Sequence, residues 1–231
     1  MIANIVLTGA SSGLGLHLYN YLVSTDQYPK IVCICRTQPS TLRGQDDFIP
    51  CDFRRPEDLN DLVESLSVYK SISALIHCAG VMHTMPSNKV SIDKLNEMFL
   101  VNTIAPAFLT SRCTRSLARA RGAVIFISSI AADINIPGEL GYSSSKSAVS
   151  KVAQNFNAEL NKLGIRFFTI APSYLATPMT SQLSSSQVDS LVNMQSNPKI
   201  LELASVCQLI VSALSLPDCA SGSVLYAQRL K

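Results

Sequence analysis

The chain has 231 residues, 47% hydrophobic and only 15% charged, enough apolar side chain for one sizeable α/β core and a composition that excludes a disordered class. Its formal net charge of +3 is spread along the chain without a basic run, which argues against a nucleic-acid partner. No apolar stretch approaches a membrane span, the N-terminus lacks the basic flank of a signal peptide, and the seven cysteines show no Cys-x-x-Cys spacing, so we expect a soluble, cytoplasmic protein with reduced thiols and no membrane partner.

The first element is the apolar run "NIVLT" at 4–8, read as a strand. "GASSGLG" follows and opens a helix predicted over 13–24. Strands are expected at 30–35 and 47–51. The stretch from Asp52 to Pro56 then opens a helix at 56–67, with a proline near its first turn and acids behind it. A strand at 73–78, a long helix at 91–119 and a strand at 123–128 continue the rhythm. A helix at 142–163 ends near Gly164, and a strand at 165–170 follows it. The Ser-rich segment 180–198 reads as a loose lid after a strand end, ahead of a helix at 200–216 and a strand at 223–227. Strands apolar on both faces and separated by helices predict a doubly wound parallel sheet of about seven strands. This is a Rossmann-type, three-layer αβα architecture in a single domain over 1–231.

Three features carry chemistry. Gly9, Gly13 and Gly15 lie between the first strand and the first helix, where a tight turn, a close backbone approach and helix packing each require a missing side chain. Free N–H groups at that helix start favour an anion such as a cofactor pyrophosphate. Asp52, closing the third strand, can accept from an adenine amine or cap the next helix, and both roles stay open. After the second strand there is no acid for a ribose hydroxyl. Arg36 stands there instead, able to pair with the 2′-phosphate of NADP or to remain solvated.

On the helix starting near Tyr142, the residues Tyr142, Lys146, Val149, Ala153, Phe156, Leu160 and Leu163 share one stripe at spacings of three and four. A lysine on a buried stripe is an anomaly. Its position four residues from Tyr142 makes the two side chains neighbours, an arrangement expected to lower the phenol pKa for general acid–base work. Ser128 and Ser129 end the preceding strand at the same sheet edge, where a hydroxyl can hold a substrate oxygen. His17, His77 and His83 lack metal-ligand spacing, so no metal site is expected.

Five motifs in order make the chain resemble the short-chain dehydrogenase/reductase family, in particular single-domain ketoreductases of the 3-oxoacyl-carrier-protein reductase kind. They are "TGASSGLG" at 8–15, "CAG" at 78–80, "VNTIAP" at 101–106, "ISS" at 127–129 and "YSSSK" at 142–146. The resemblance implies an NADP(H)-dependent reductase of a ketone or aldehyde, with NAD(H) possible, and, as the alternative, a nicotinamide-binding sensor or scaffold without turnover. It implies cofactor contacts at Gly9, Ser11, Ser12, Gly13, Leu14, Gly15, Arg36, Asp52, Ala79, Gly80, Pro172 and Thr177, shared with Tyr142 and Lys146. Tyr142 would donate the proton, and Lys146 would bind the nicotinamide ribose and lower the tyrosine pKa. Ser129, ahead of Ser128, would polarise the carbonyl, and Asn102 would position a water in a proton relay. The partner would be a small-molecule or carrier-bound carbonyl, and the assembly a homo-oligomer, dimer or tetramer. The chain departs from the family pattern at Cys78, at Ser173 and in the C-terminal "GSVLYAQRLK". His83 and Asp133 read as solvated loop residues near the substrate rim.

Overall fold

The computed structural model describes residues 4–183, 185–193 and 201–227. Seven parallel strands form one sheet: β1 (Asn4–Thr8), β2 (Lys30–Cys35), β3 (Asp47–Pro50), β4 (Ala74–His77), β5 (Ala123–Ile127), β6 (Arg166–Ala171) and β7 (Val224–Tyr226). Their order is β3-β2-β1-β4-β5-β6-β7, so the chain reverses its direction of travel between β1 and β4. In such sheets a crevice opens at the carboxyl ends of the strands at that reversal.

Period-two alternation within the strands divides the core. Val6, Val32, Ile34, Leu75, Val124, Phe126 and Phe167 point to one face, which is covered by α2 (Pro56–Leu66), α4 (Ala105–Ala120) and α5 (Leu140–Leu160). Ile5, Leu7, Ile31, Cys33, Ile76, Ile125 and Phe168 point to the other, covered by α1 (Gly13–Ser24) and α7 (Leu203–Leu214). Both faces are therefore dry, and truncating a fully buried residue such as Phe126 to alanine would cost about 3–5 kcal/mol.

Two segments differ from the sequence expectation. The long helix predicted over 91–119 is α3 (Ile92–Phe99), a π-helical turn (Leu100–Ile104) and α4. The reason lies in Pro106, which has no N–H to give to the Asn102 carbonyl and so breaks the regular ladder there. Within the segment read as loose, a turn at Thr180–Gln182 leads into α6 (Ser185–Asn193); residues 184 and 194–198 lie outside the described residues, as do the last residues of "GSVLYAQRLK". Helix α5 also begins two residues earlier than predicted, placing Tyr142 inside its first turn. Its stripe is buried at Lys146, Val149 and Ala153, but Leu163 lies 45% exposed, beyond the helix end.

Candidate active site

A cleft of about 230 Å³ opens at the carboxyl edge of the sheet. Every candidate residue read from the sequence lines it except Asn102. Gly9, Ser11, Ser12, Gly13, Leu14, Gly15, Arg36 and Asp52 stand on one side, on the loops following β1, β2 and β3 and on the first turn of α1. Ser129, Tyr142, Lys146, Pro172 and Thr177 come from the loops after β5 and β6 and from α5, with Ala79 and Gly80 after β4.

The glycine turn is built by close approach. Gly9 has φ +73, and a Cβ there would stand 2.7 Å from the Ala79 backbone nitrogen. A Cβ on Gly15 would stand 2.1 Å from the Gly9 carbonyl oxygen, a distance no side chain tolerates. Ser12 is the N-cap of α1, but its hydroxyl caps none of the first-turn N–H groups, and no acid occupies that turn. These are the features of a cradle for an anionic group, and they fit the pyrophosphate of a dinucleotide.

Arg36 is exposed at the end of β2, lines the cleft and forms no ion pair among the described residues. Asp52 does not cap α2. Arg55 is the N-cap, and the Asp52 carboxylate is instead held by Arg54, whose Nε donates to Oδ1 at 2.9 Å. That guanidinium keeps the Asp52 carboxyl below its ordinary value. Asp52 still lines the cleft.

At the other end, the Lys146 ammonium is buried and donates to the Ile127 carbonyl at 2.8 Å. Burial lowers its pKa to about 8, and it lies 5.7 Å from the centre of the Tyr142 ring. The expectation that Lys146 lowers the phenol pKa does not hold for the protein alone. Burial, reinforced by the negative charge of Glu139, raises Tyr142 to about 12, while the neighbouring Ser129 hydroxyl works in the opposite direction. The cause is geometric: the ammonium is engaged by a backbone carbonyl, and the phenol sits in a poorly solvated wall.

The two serines divide their tasks. Ser128 donates to the Lys146 carbonyl at 3.0 Å and shares a hydrogen bond with Ser150 at 2.8 Å, so its hydroxyl is spent joining β5 to α5. Ser129 has extended backbone (φ -163), accepts from the Ala131 N–H at 3.1 Å and borders the cleft beside Tyr142.

Asn102 stands behind the cleft rather than in its wall. Its amide accepts from the Val81 N–H at 2.8 Å and donates to the Val81 carbonyl and the Ser145 hydroxyl, both at 2.9 Å. The side chain thus clamps the loop after β4 to α5 and has no donor left for a water. Pro106 has no N–H to give the Asn102 backbone carbonyl.

Around Cys78, the Ala79 N–H donates to the Thr8 hydroxyl at 3.1 Å, and burial pushes the Cys78 thiol well above its ordinary value. His77 is buried against Phe126, its Nε2 2.9 Å from the Thr110 hydroxyl, its Nδ1 without a partner and its pKa lowered by burial to about 3. His83 is half-buried and pairs with Glu97 at 2.8 Å rather than standing free in solvent; Asp133 is exposed as expected and accepts from Tyr226 at 2.9 Å, and neither lines the cleft. Sequence reasoning passed over Glu139, which is buried and lines the cleft with Met82, Ile136, Tyr174, Met179 and Leu183. Its place three residues before Tyr142, one helical turn away, was the available signal. Among the described residues, no cluster of His, Cys, Asp or Glu could hold a metal ion, and no helix is long and apolar enough to cross a membrane.

Residues 3–188 match the profile of a family described as short chain dehydrogenase. A relative from Anopheles gambiae, a dehydrogenase/reductase SDR family protein 7-like, is 29% identical over 192 residues, which is 76% of this chain but only 60% of that protein. The chain therefore spans less than two thirds of that relative's length. The fold is similar to that of 4-hydroxyisoleucine dehydrogenase complexed with NADH (TM-score 0.87, 20% identity, 97% of this chain and 96% of that one). It is equally similar to the structure of ElxO with NADP bound (TM-score 0.86, 20% identity, 98% and 97%).

Proposed function

This chain belongs to the short chain dehydrogenase family, and from that premise we propose that it reduces a ketone or aldehyde to an alcohol, or runs the reverse, with a nicotinamide cofactor. One observation carries the reading: Tyr142, Lys146 and Ser129 converge in the same cleft as a glycine turn shaped for a pyrophosphate.

A bound reduced nicotinamide would supply the hydride. The chain's own residues hold the substrate and move the proton. The Ser129 hydroxyl donates to the carbonyl oxygen and polarises it. Tyr142 gives its proton to that oxygen as negative charge develops. With a pKa near 12 the phenol is protonated at neutral pH, the state a donor needs, and an alkoxide is basic enough to take the proton from it. Lys146, protonated at neutral pH and fixed on Ile127, is placed to bind the nicotinamide ribose and to favour the phenolate left behind. The Asn102 carbonyl would hold a water that returns a proton through Lys146.

Arg36 favours NADP(H) over NAD(H), because a guanidinium can pair with a 2′-phosphate, while the one acid between β2 and β3, Asp46, is bound by Tyr19, Ile31 and Arg43 and does not line the cleft. Met179, Thr180 and Leu183, leading into α6, form the cleft-facing part of a lid. Part-exposed Ile104 and Leu140, at the starts of α4 and α5, suit a homo-oligomer, and seven free cysteines suit a reducing cytoplasm.

The test is a panel of aldehydes and ketones with NADPH and with NADH, following nicotinamide oxidation. Turnover of at least one carbonyl is expected. Tight cofactor binding with no turnover anywhere on the panel would instead identify a nicotinamide-binding sensor or scaffold.

A further inference from the structure

We propose that Glu139 is a specificity residue of the cleft, receiving a hydrogen-bond donor, a hydroxyl or an ammonium, that the substrate carries near its reacting carbon. The inference rests on the reductase reading above and adds the substrate's chemistry to it.

Glu139 immediately precedes α5, and the three-residue step to Tyr142 sets the two side chains on the same side of that helix start. Both line the cleft. The residue is only 2% exposed, and its backbone groups are satisfied: its N–H donates to Ile136 at 3.1 Å and its carbonyl accepts from Ser143 at 2.8 Å. Its carboxyl, by contrast, forms no hydrogen bond and no ion pair among the described residues, and it caps nothing on α5. Its oxygens are not among the fully enclosed unpaired atoms, so they open onto the cleft; an acid so poorly solvated is costly and has no structural task to justify it here.

The titratable neighbours do not supply a partner. Lys146 is engaged by Ile127, and Tyr142 feels the Glu139 charge as a repulsion of its phenolate. Arg36, Asp52 and Arg54 line the cleft from the loops after β2 and β3, and Cys78 and Tyr174 from the loops after β4 and β6. Burial, with no cation to offset it, raises the Glu139 pKa to about 7. Near neutrality the carboxyl is therefore available both to a neutral hydroxyl and to a cation.

Met82, Ile136, Met179 and Leu183 make much of the remaining lining apolar. An acid left unpaired beside a proton donor in such a wall discriminates strongly. A substrate lacking the donor leaves the carboxyl stranded, and sites built this way reject the incomplete analogue far better than apolar pockets reject a methylene.

The experiment compares matched sets in which one methyl is exchanged for hydroxyl or ammonium: butanone, hydroxyacetone and aminoacetone, and 2-methyl-, 2-hydroxy- and 2-aminocyclohexanone. The kcat/KM of each is measured for wild type, Glu139→Gln and Glu139→Leu, with the cofactor Kd as the check on folding. Wild type should favour a donor-bearing member by about tenfold or more, and Glu139→Leu should bring the set within about threefold. Glu139→Gln should keep a preference for hydroxyl and lose one for ammonium. An unchanged ratio in Glu139→Leu, or a wild type that turns over carbonyls without a preference in either set, overturns the inference and leaves the reductase reading intact. Wild type inert toward every carbonyl, in these sets and in the panel, overturns both.

Discussion

At the β1 end of the cleft, Gly9, Gly13 and Gly15 act through what they lack, and the wall is backbone: a Cβ at Gly15 would stand 2.1 Å from a carbonyl oxygen. At the α5 end, the wall is side chain: a lysine pinned to Ile127, a phenol with raised pKa, and an unpaired buried acid. The first end tolerates almost no change of residue yet needs no titration to work. The second is built of side chains, and its properties depend on which protons they carry. The two regions should therefore fail differently, one by loss of shape and the other by loss of proton control.

The harshest way to break the backbone end is Gly15→Ala. With the Gly9 carbonyl in the way, the turn must move as a whole, and we expect a loss of at least about 3 kcal/mol in stability, read as a lowered denaturant midpoint, together with loss of cofactor binding. Lys146→Met tests the opposite end. The apolar side chain fits the buried site, so folding should persist, while cofactor affinity falls by about 100-fold, near 2.7 kcal/mol, and the apparent pKa of the rate profile rises.

Two buried groups give pH signatures of opposite slope. Between about pH 6.5 and 3 the unfolded chain takes up a proton at His77 that the folded chain refuses, so this group lowers stability as the solution is acidified. Between about pH 4.5 and 7 the folded chain keeps a proton on Glu139 that the unfolded chain has released, so this group lowers stability as pH rises. Relative to wild type, His77→Gln should flatten the acid limb by up to about 5 kcal/mol and Glu139→Gln the neutral one by up to about 3 kcal/mol across its window, measured by denaturant titration at a series of pH values. The smallest effect expected is Arg36→Ala, which should weaken NADPH binding about tenfold, near 1.4 kcal/mol, and leave NADH unchanged. Equal weakening of both cofactors would remove Arg36 from any role in choosing between them.

The same contrast explains what the sequence makes legible. Strand positions and the glycine turn are set by local rules, apolar alternation and steric absence, and β1, β2 and α1 occur at their predicted bounds. The π turn at Leu100–Ile104 escapes because the apolar periodicity runs through it and only Pro106 marks the break. Helix α6 escapes because its sequence, SSQVDSLVN, is rich in serine and other short polar residues that favour turns and caps over helix interiors. At the site, an i,i+4 spacing brings Tyr142 and Lys146 together but says nothing of where the ammonium points, and a backbone carbonyl from β5 decides that. Glu139 lies in a segment that reads as loop, and its burial becomes visible only once that segment packs against the cleft. Asn102 reads as a site residue, while its side chain serves as a clamp between Val81 and Ser145.

The central claim, hydride delivery to a carbonyl with Tyr142 as the proton donor, is tested most directly by deuterium transfer. Reduced nicotinamide carrying deuterium at the transferable position is incubated with the best carbonyl of the panel, and the alcohol is analysed by mass spectrometry for wild type and Tyr142→Phe. The account predicts one deuterium on the alcohol carbon for wild type and a rate lower by about 10³-fold for Tyr142→Phe at unchanged cofactor Kd. Transfer by Tyr142→Phe at the wild-type rate would contradict it.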